Sequence, residues 1–206
     1  MIYNKKYQAL LCDSLQERTR YMGEILYKKA CPGDGEKIVQ FYNKVGGETT
    51  YLSFGKNQYP LTADQQEKSI QDLRDHTGNI MLIAWSGQEI AGIATVGSSS
   101  KEKVRHEGGL GIVVPEKFWS QGIGKELMNR LFTWASENGI TTKLRLEVRT
   151  DNKKAAALYL KLGFIVEGCL KNAVRLDGVY YDLYTMGRMI EQQKGRIADG
   201  ISDLQP

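Results

Sequence analysis

Between an apolar run at residues 110–114 and a strongly amphipathic stretch stands Phe118-Trp119-Ser120-Gln121-Gly122-Ile123-Gly124-Lys125, and this junction constrains the fold more than any other part of the chain. A strand-like run leading into a helix through two glycines exposes backbone at the junction. Glycine has no Cβ, so two glycines here let the main chain turn tightly and let a ligand approach the backbone. The first amides of the following helix have no partner within it and carry the positive end of its dipole. Such a place binds phosphate.

The common nucleotide-binding glycine patterns do not fit. The dinucleotide fingerprint needs a third glycine three residues on, and the P-loop needs Gly-Lys-Ser/Thr, whereas Lys125 is followed by Glu126.

Strands and helices alternate along the rest of the chain. Residues 25–29 read as a first strand, and Pro32-Gly33-Asp34 opens a helix with Ile38, Phe41, Tyr42 and Val45 at helical spacing, closed by Gly46-Gly47. Thr62 with Gln65 is a capping-box pattern for a second helix to about His76, which carries little apolar surface. Residues 80–85 and 89–96 are apolar runs around Ser86-Gly87-Gln88, a hairpin signal, and a third central strand is expected over about 105–114. The helix over 122–138 places Ile123, Leu127, Leu131 and Trp134 on one stripe, with Asn138-Gly139 as its stop. Residues 143–149 alternate, with Leu144, Leu146 and Val148 on one face and Arg145, Glu147 and Arg149 on the other. Asn152 caps the next helix, Gly163 ends it, and strands over 164–170 and 180–186 flank a turn at 176–178.

The segment from Leu146 reads Leu-Glu-Val-Arg-Thr-Asp-Asn-Lys-Lys-Ala-Ala-Ala-Leu-Tyr-Leu-Lys-Leu-Gly-Phe and ends at Phe164. Together with the glycine junction, in that order, it resembles the GCN5-related N-acetyltransferase (GNAT) family. The junction is similar to that family's R/Q-x-x-G-x-G/A element, departing at its first position, where this chain has Trp119. The L-E-V-R-x-x-N-x-x-A-x-x-L-Y form resembles the acetyltransferases of ribosomal-protein N-termini, as does the Asp177-Gly178 turn with Tyr180, Asp182 and Met186. The resemblance covers roughly residues 25–189.

It implies a mixed, mostly antiparallel central sheet of six or seven strands with helices on both faces, and a V-shaped opening between central strands. It implies acetyl-CoA as co-substrate, with the pantetheine arm along the backbone of Ile112, Val113 and Val114. An N–H of Val113 or Val114 would hold the thioester oxygen as charge develops on it. The pyrophosphate would lie on Gln121, Gly122, Ile123, Gly124 and Lys125. Trp119 would line the groove or pack at the helix start, Asn152 would reach the pantetheine or act only as a helix cap, and Ala155 and Tyr159 would border the cofactor.

Acetyl transfer to an amine needs a proton acceptor, because a lysine-like amine stays protonated until about pH 10. The resemblance puts Glu147 in the place of the base and Tyr159 in that of the acid beside the departing sulfur. Glu107, His106 and an ordered water stay open as rivals for the base, and a solvated ion pair with Arg145 and Arg149 stays open for Glu147. Glu24, Glu107, Asp177, Tyr180 and Asp182 are candidate acceptor contacts. The expected acceptor is a primary amine: a protein or peptide N-terminus, or a small amine. A non-catalytic acyl-CoA-binding sensor or assembly module is the alternative.

The chain has 206 residues, 41% hydrophobic and 25% charged, with a net charge of +4 and no basic run, which does not argue for nucleic acid. Cys12, Cys31 and Cys169 lack C-x-x-C spacing and His76 and His106 are far apart, so neither a disulfide framework nor a metal site is indicated. Without a signal-like start or a long apolar run, no membrane association is expected, and free thiols fit a reducing cytoplasmic setting. The organisation read from these patterns is an extension over 1–23, one catalytic domain over 24–190 and a polar tail over 191–206. The edge of the last hairpin leaves a homodimer open.

Overall fold

The computed structural model describes residues 25–192. In chain order these form β1 (Ile25–Lys29), α1 (Gly35–Val45), α2 (Ala63–Asp75), β2 (Ile80–Ser86), β3 (Glu89–Ser98), β4 (Glu107–Val113), a 3-10 turn (Glu116–Phe118), α3 (Ile123–Glu137), β5 (Lys143–Arg149), α4 (Lys153–Lys161), β6 (Ile165–Leu176) and β7 (Val179–Met189). The extension expected over 1–23 and most of the tail expected over 191–206 lie outside the described residues, as does Glu24.

Seven strands make one sheet in the order β1-β2-β3-β4-β5-β7-β6. Neighbours are antiparallel except β4 and β5. Strand side chains alternate between faces, so each face recruits its own helices. Leu82, Ala84, Ala94, Val96, Leu110, Leu144, Leu146 and Val148 pack against Ile123, Leu127, Met128 and Leu131 of α3 and Tyr159 of α4. Met81, Ile83, Trp85 and Ile93 pack against Ile38, Phe41, Tyr42 and Val45 of α1 and Ile70 of α2. The mixed, mostly antiparallel sheet with helices on both faces is therefore the fold the chain adopts.

The parallel pair is short, and this shapes the molecule. β4 meets β5 at Glu107↔Lys143, Gly108↔Leu144 and Gly109↔Arg145. Past these, residues 110–113 stay paired only with β3 and residues 146–149 only with β7, so the two halves of the sheet part around a gap. Gly108 holds the closed end: a Cβ there would run into Val96 and come within 3.2 Å of Leu144 and 3.3 Å of Thr141.

Local details refine the sequence reading. Thr62 and Gln65 form the expected reciprocal capping box of α2. The start of α1 is capped from outside, because the Gly33 and Gly35 amides donate to the Glu67 carboxylate at 2.8 and 3.2 Å. On α3 the buried stripe ends with Ala135, and Trp134 is only partly buried, since the helix is turned slightly from the phase its large residues suggest. β6 does not stop at residue 170. It runs on to Leu176 through an irregularity between Leu170 and Val174, where Asn172 takes φ +55°, and this bulge absorbs the polar residues that interrupt the apolar pattern. Asp182 accepts the Asn172 amide at 2.9 Å and fixes the bulge. The three thiols are not all free: Cys31 is disulfide-bonded, and Cys169 is a free, exposed thiol. Among the described residues, no helix is long and apolar enough to cross a membrane.

Candidate active site

α3 begins just beyond the open end of β4. Its N-cap is Gly122, at φ +82°, a left-handed conformation that costs a residue with a Cβ and costs glycine nothing. No side chain caps this helix, and its first intrahelical bond is Glu126 N–H to Gly122 carbonyl at 3.0 Å. The amides of Ile123, Gly124 and Lys125 therefore have no partner in their own helix. A Cβ on Gly122 would have nothing within 4 Å, so the approach to these amides is open. A Cβ on Gly124 would lie 3.8 Å from Leu158 and Val114 and 3.9 Å from Ile112, which puts this residue where β4, α3 and α4 converge. An anion with several oxygens fits such a place.

Ile112, Val113 and Val114 are only half-buried although β4 is central in a seven-stranded sheet. That partial exposure is what a gap beside the strand produces. Trp119 is tied to this edge: its indole N–H donates to the Val114 carbonyl at 2.7 Å, and the Lys154 ammonium lies 5.4 Å from its ring centre. Trp119 thus holds the junction against the end of β4, and a cation from α4 stands beside the loop whose first position lacks one. The Gln121 side chain donates to the Lys117 carbonyl at 2.9 Å, which ties the junction back onto the 3-10 turn.

α4 supplies the other wall. Asn152 Oδ1 accepts the Ala155 amide at 3.2 Å, so Asn152 is a helix cap in fact, and Ala155 is partly buried against the core. The Tyr159 ring is buried beside Phe164, with ring centres 6.0 Å apart. Its hydroxyl makes no hydrogen bond among the described residues, and its oxygen is not among the sealed, unpartnered polar atoms, so it opens toward the surface. Burial pushes this phenol up to about 12 and keeps it protonated.

Glu147 and Glu107 lie on the opposite face of the sheet from Tyr159, on the side of α1 and α2. Arg145 joins them, Nε donating to Glu107 Oε1 at 3.0 Å and Nη1 to Glu147 Oε1 at 3.2 Å. Lys143 engages the second Glu107 oxygen at 3.5 Å. Both Glu107 oxygens are thus held by cations, whereas Glu147 keeps Oε2 without a partner among the described residues. The His106 side chain is exposed, and His106 takes part through its carbonyl, which accepts the Thr142 and Lys143 amides at 3.0 and 3.1 Å. Glu147 and Tyr159 thus stand on opposite faces of the sheet, to either side of the parting of β4 and β5.

Of the acceptor contacts expected from sequence, Glu107 shares Arg145 with Glu147, whereas Asp177, Tyr180 and Asp182 belong to the last hairpin, β6 and β7. Asp182 is committed to Lys171 and the β6 bulge, Asp177 forms the turn of the last hairpin at φ +48°, and the Tyr180 ring lies 5.5 Å from Arg175. Arg149 is the residue the sequence reading missed. Alternation placed it on a charged face, yet its side chain is 5% exposed. Among the described residues, no group of His, Cys, Asp and Glu could hold a metal ion.

The chain is similar to known proteins over most of its length. A family model described as Acetyltransferase (GNAT) family matches residues 48–164. The chain is 26% identical to the L-amino acid N-acetyltransferase AaaT of Escherichia coli over 82% of this chain and 99% of that protein. It is 24% identical to the ribosomal-protein-serine acetyltransferase of the same organism, over 76% of this chain and 89% of that one. The crystal structure of a GNAT-family acetyltransferase from Streptococcus pneumoniae superposes with a TM-score of 0.79 at 33% identity, covering 81% of this chain and 99% of that one. The Salmonella typhimurium protein yncA, solved with acetyl-CoA, shares the fold with a TM-score of 0.71 at 20% identity, over 85% and 99% of the two chains. A match across more than half the chain, on a divided sheet with an uncapped helix start at its mouth, shows that this protein belongs to the acetyltransferase (GNAT) family.

Proposed function

We propose that this enzyme transfers the acetyl group of acetyl-CoA to a primary amine by direct attack of the amine on the thioester in a ternary complex. The observation that carries the proposal is the parting of β4 from β5 beyond Gly109↔Arg145, with three amides of α3 at its mouth that have no partner among the described residues. The amides of Ile123, Gly124 and Lys125 take the pyrophosphate, and Lys125 and Lys154 supply the positive charge that Trp119 does not. The free edge of β4 at Ile112, Val113 and Val114 holds the pantetheine arm as an added strand would be held. Because Trp119 occupies the Val114 carbonyl, it fixes the strand end whose N–H groups face the developing oxyanion.

The amine enters from the α1 and α2 side, where Glu147 removes its proton through Oε2. Glu147 is better suited than Glu107, since a carboxylate with both oxygens held by cations gives up a hydrogen bond to accept a proton. As the N–C bond forms, the C–S bond breaks and the sulfur departs toward Tyr159. A phenol near 12 does not hand its proton outright to a thiolate of about 8.5; it donates a hydrogen bond that stabilises the sulfur's charge, and the thiolate takes its proton from solvent.

The α-amine of an amino acid or of a peptide is the acceptor this reading favours, since one relative is named an L-amino acid N-acetyltransferase and another a ribosomal-protein-serine acetyltransferase, aligned over 82% and 76% of this chain. The unpaired edge of β6, with exposed Ile165, Val166 and Leu170, supports a homodimer, and the enzyme works in the cytoplasm, where acetyl-CoA is supplied. Thiol release from acetyl-CoA, assayed with amino acids, hexapeptides, polyamines and aminoglycosides, tests the proposal. Amine-dependent release is expected, with Glu147→Gln slower by about 10²-fold or more at neutral pH and recovering as pH rises toward the amine's own pKa. Release that no amine increases would refute it.

A further inference from the structure

The loop between α1 and α2, residues 46–62, crosses the same face of the sheet as Glu107 and Glu147. Its second half is fastened to the helices. The Asn57 and Tyr59 amides donate to the Asn43 carbonyl and side chain at 3.2 and 3.0 Å, and the Tyr59 hydroxyl donates to Gln66 at 2.7 Å. Its first half reaches across to β5. Arg149 Nη1 donates to the Thr50 carbonyl at 2.9 Å, and the guanidinium lies 4.9 Å from the Tyr51 ring centre. Among the described residues, every other hydrogen bond of this loop returns to α1, α2 or the loop itself.

Arg149 is built for this task. Nε and Nη2 grip Asp151 as a fork at 3.0 and 2.6 Å, and the Tyr181 ring of β7 covers the guanidinium at 3.7 Å. A planar cation between two aromatic rings, with a carboxylate at one edge and a carbonyl at another, has one orientation. It is two residues beyond Glu147 on the same strand and faces the same side.

We infer that Arg149 is a positioning residue that pins segment 48–52 across the open half of the sheet, and that the pinned segment forms the wall against which the acceptor amine is aligned with Glu147. The inference rests on the amine entering from the α1 and α2 side, as proposed above. It assigns Arg149 no contact with the donor, whose phosphates lie at the start of α3 on the far side of the gap.

Three variants test it: Arg149→Met, which keeps the stem and removes the fork; Arg149→Lys; and Tyr51→Ala, which removes an exposed ring and leaves the β5–β7 core untouched. Each is compared with the parent protein for acetyl-CoA affinity by calorimetry, for chymotryptic cleavage after Tyr51 or Leu52, and for KM of the hexapeptide or amino acid giving the fastest thiol release. Arg149→Met should raise the acceptor KM by at least about tenfold and leave acetyl-CoA affinity within about twofold. It should also speed cleavage in segment 48–52 without speeding it elsewhere; Tyr51→Ala should match it in KM, and Arg149→Lys should fall between. Unchanged cleavage in Arg149→Met, or loss of acetyl-CoA affinity in step with the acceptor KM, would overturn the assignment. If the parent protein binds acetyl-CoA but releases thiol with no amine, the proposed reaction fails, and the cleavage rates alone decide whether Arg149 pins the loop.

Discussion

Tyr159 combines a buried ring with a hydroxyl that has no hydrogen-bond partner among the described residues, which suits the proposed hydrogen bond to the departing sulfur. Its ring packs within the same core as Phe164 and Leu127, so replacing it with phenylalanine removes one oxygen and keeps the packing. Tyr159→Phe is expected to lower kcat by about 10- to 100-fold, the worth of a hydrogen bond to a charged group, with acetyl-CoA affinity unchanged. Steady-state rates and calorimetry on one preparation check both halves. An equal fall in affinity would make Tyr159 a binding residue and remove its role at the sulfur.

Among the elements, β4 and β5 matter most, because one end of their pairing must close while the other stays open. Gly108 permits the close end. Gly108→Ala places a methyl against Val96 and Leu144, and it should destabilise the fold by about 1–3 kcal/mol in urea unfolding, with reduced acetyl-CoA affinity as the gap changes width. No loss in either measurement would mean that the closed end does not set the gap.

The same elements show what the sequence disclosed. The Thr62 capping box, the Asn152 cap and the alternation of Leu144, Leu146 and Val148 were legible because each is written within a few neighbouring residues. The uncapped glycine start of α3 was legible for the same reason. The place where β4 and β5 part was not. It depends on where two strands more than thirty residues apart in sequence stop pairing, and only the family resemblance pointed to it. Arg149 was hidden by alternation, which correctly gives its face but not the loop that meets it at Thr50, 99 residues away. The bulge in β6 was hidden because a polar pair in an apolar run reads as the end of a strand.

At the scale of the whole molecule, two buried phenols tie stability to alkaline pH. Burial raises Tyr159 from 10.0 to about 12, and raises Tyr42 further still. The folded chain then holds these protons more tightly than the unfolded chain. Their contribution is complete below about pH 10 and is lost as pH climbs toward and beyond about 12. Each such group steepens the loss by up to about 1.4 kcal/mol per pH unit in that window. Tyr159→Phe removes one of them, so its unfolding free energy should fall less steeply than that of the parent between about pH 10 and 11. Parallel curves would show that the phenol is not desolvated in solution.

The central claim is that the uncapped start of α3 receives the phosphates of acetyl-CoA at the mouth of the divided sheet, and calorimetric titration of the parent protein, Gly122→Asp and Gly124→Ala tests it most directly. Gly124 has room for a methyl, so Gly124→Ala should bind within about threefold of the parent. Gly122→Asp puts a strained, negatively charged residue at φ +82° beside the unpartnered amides and should lose about 10²-fold or more. Equal affinity in all three proteins, or no binding to the parent, would contradict the account.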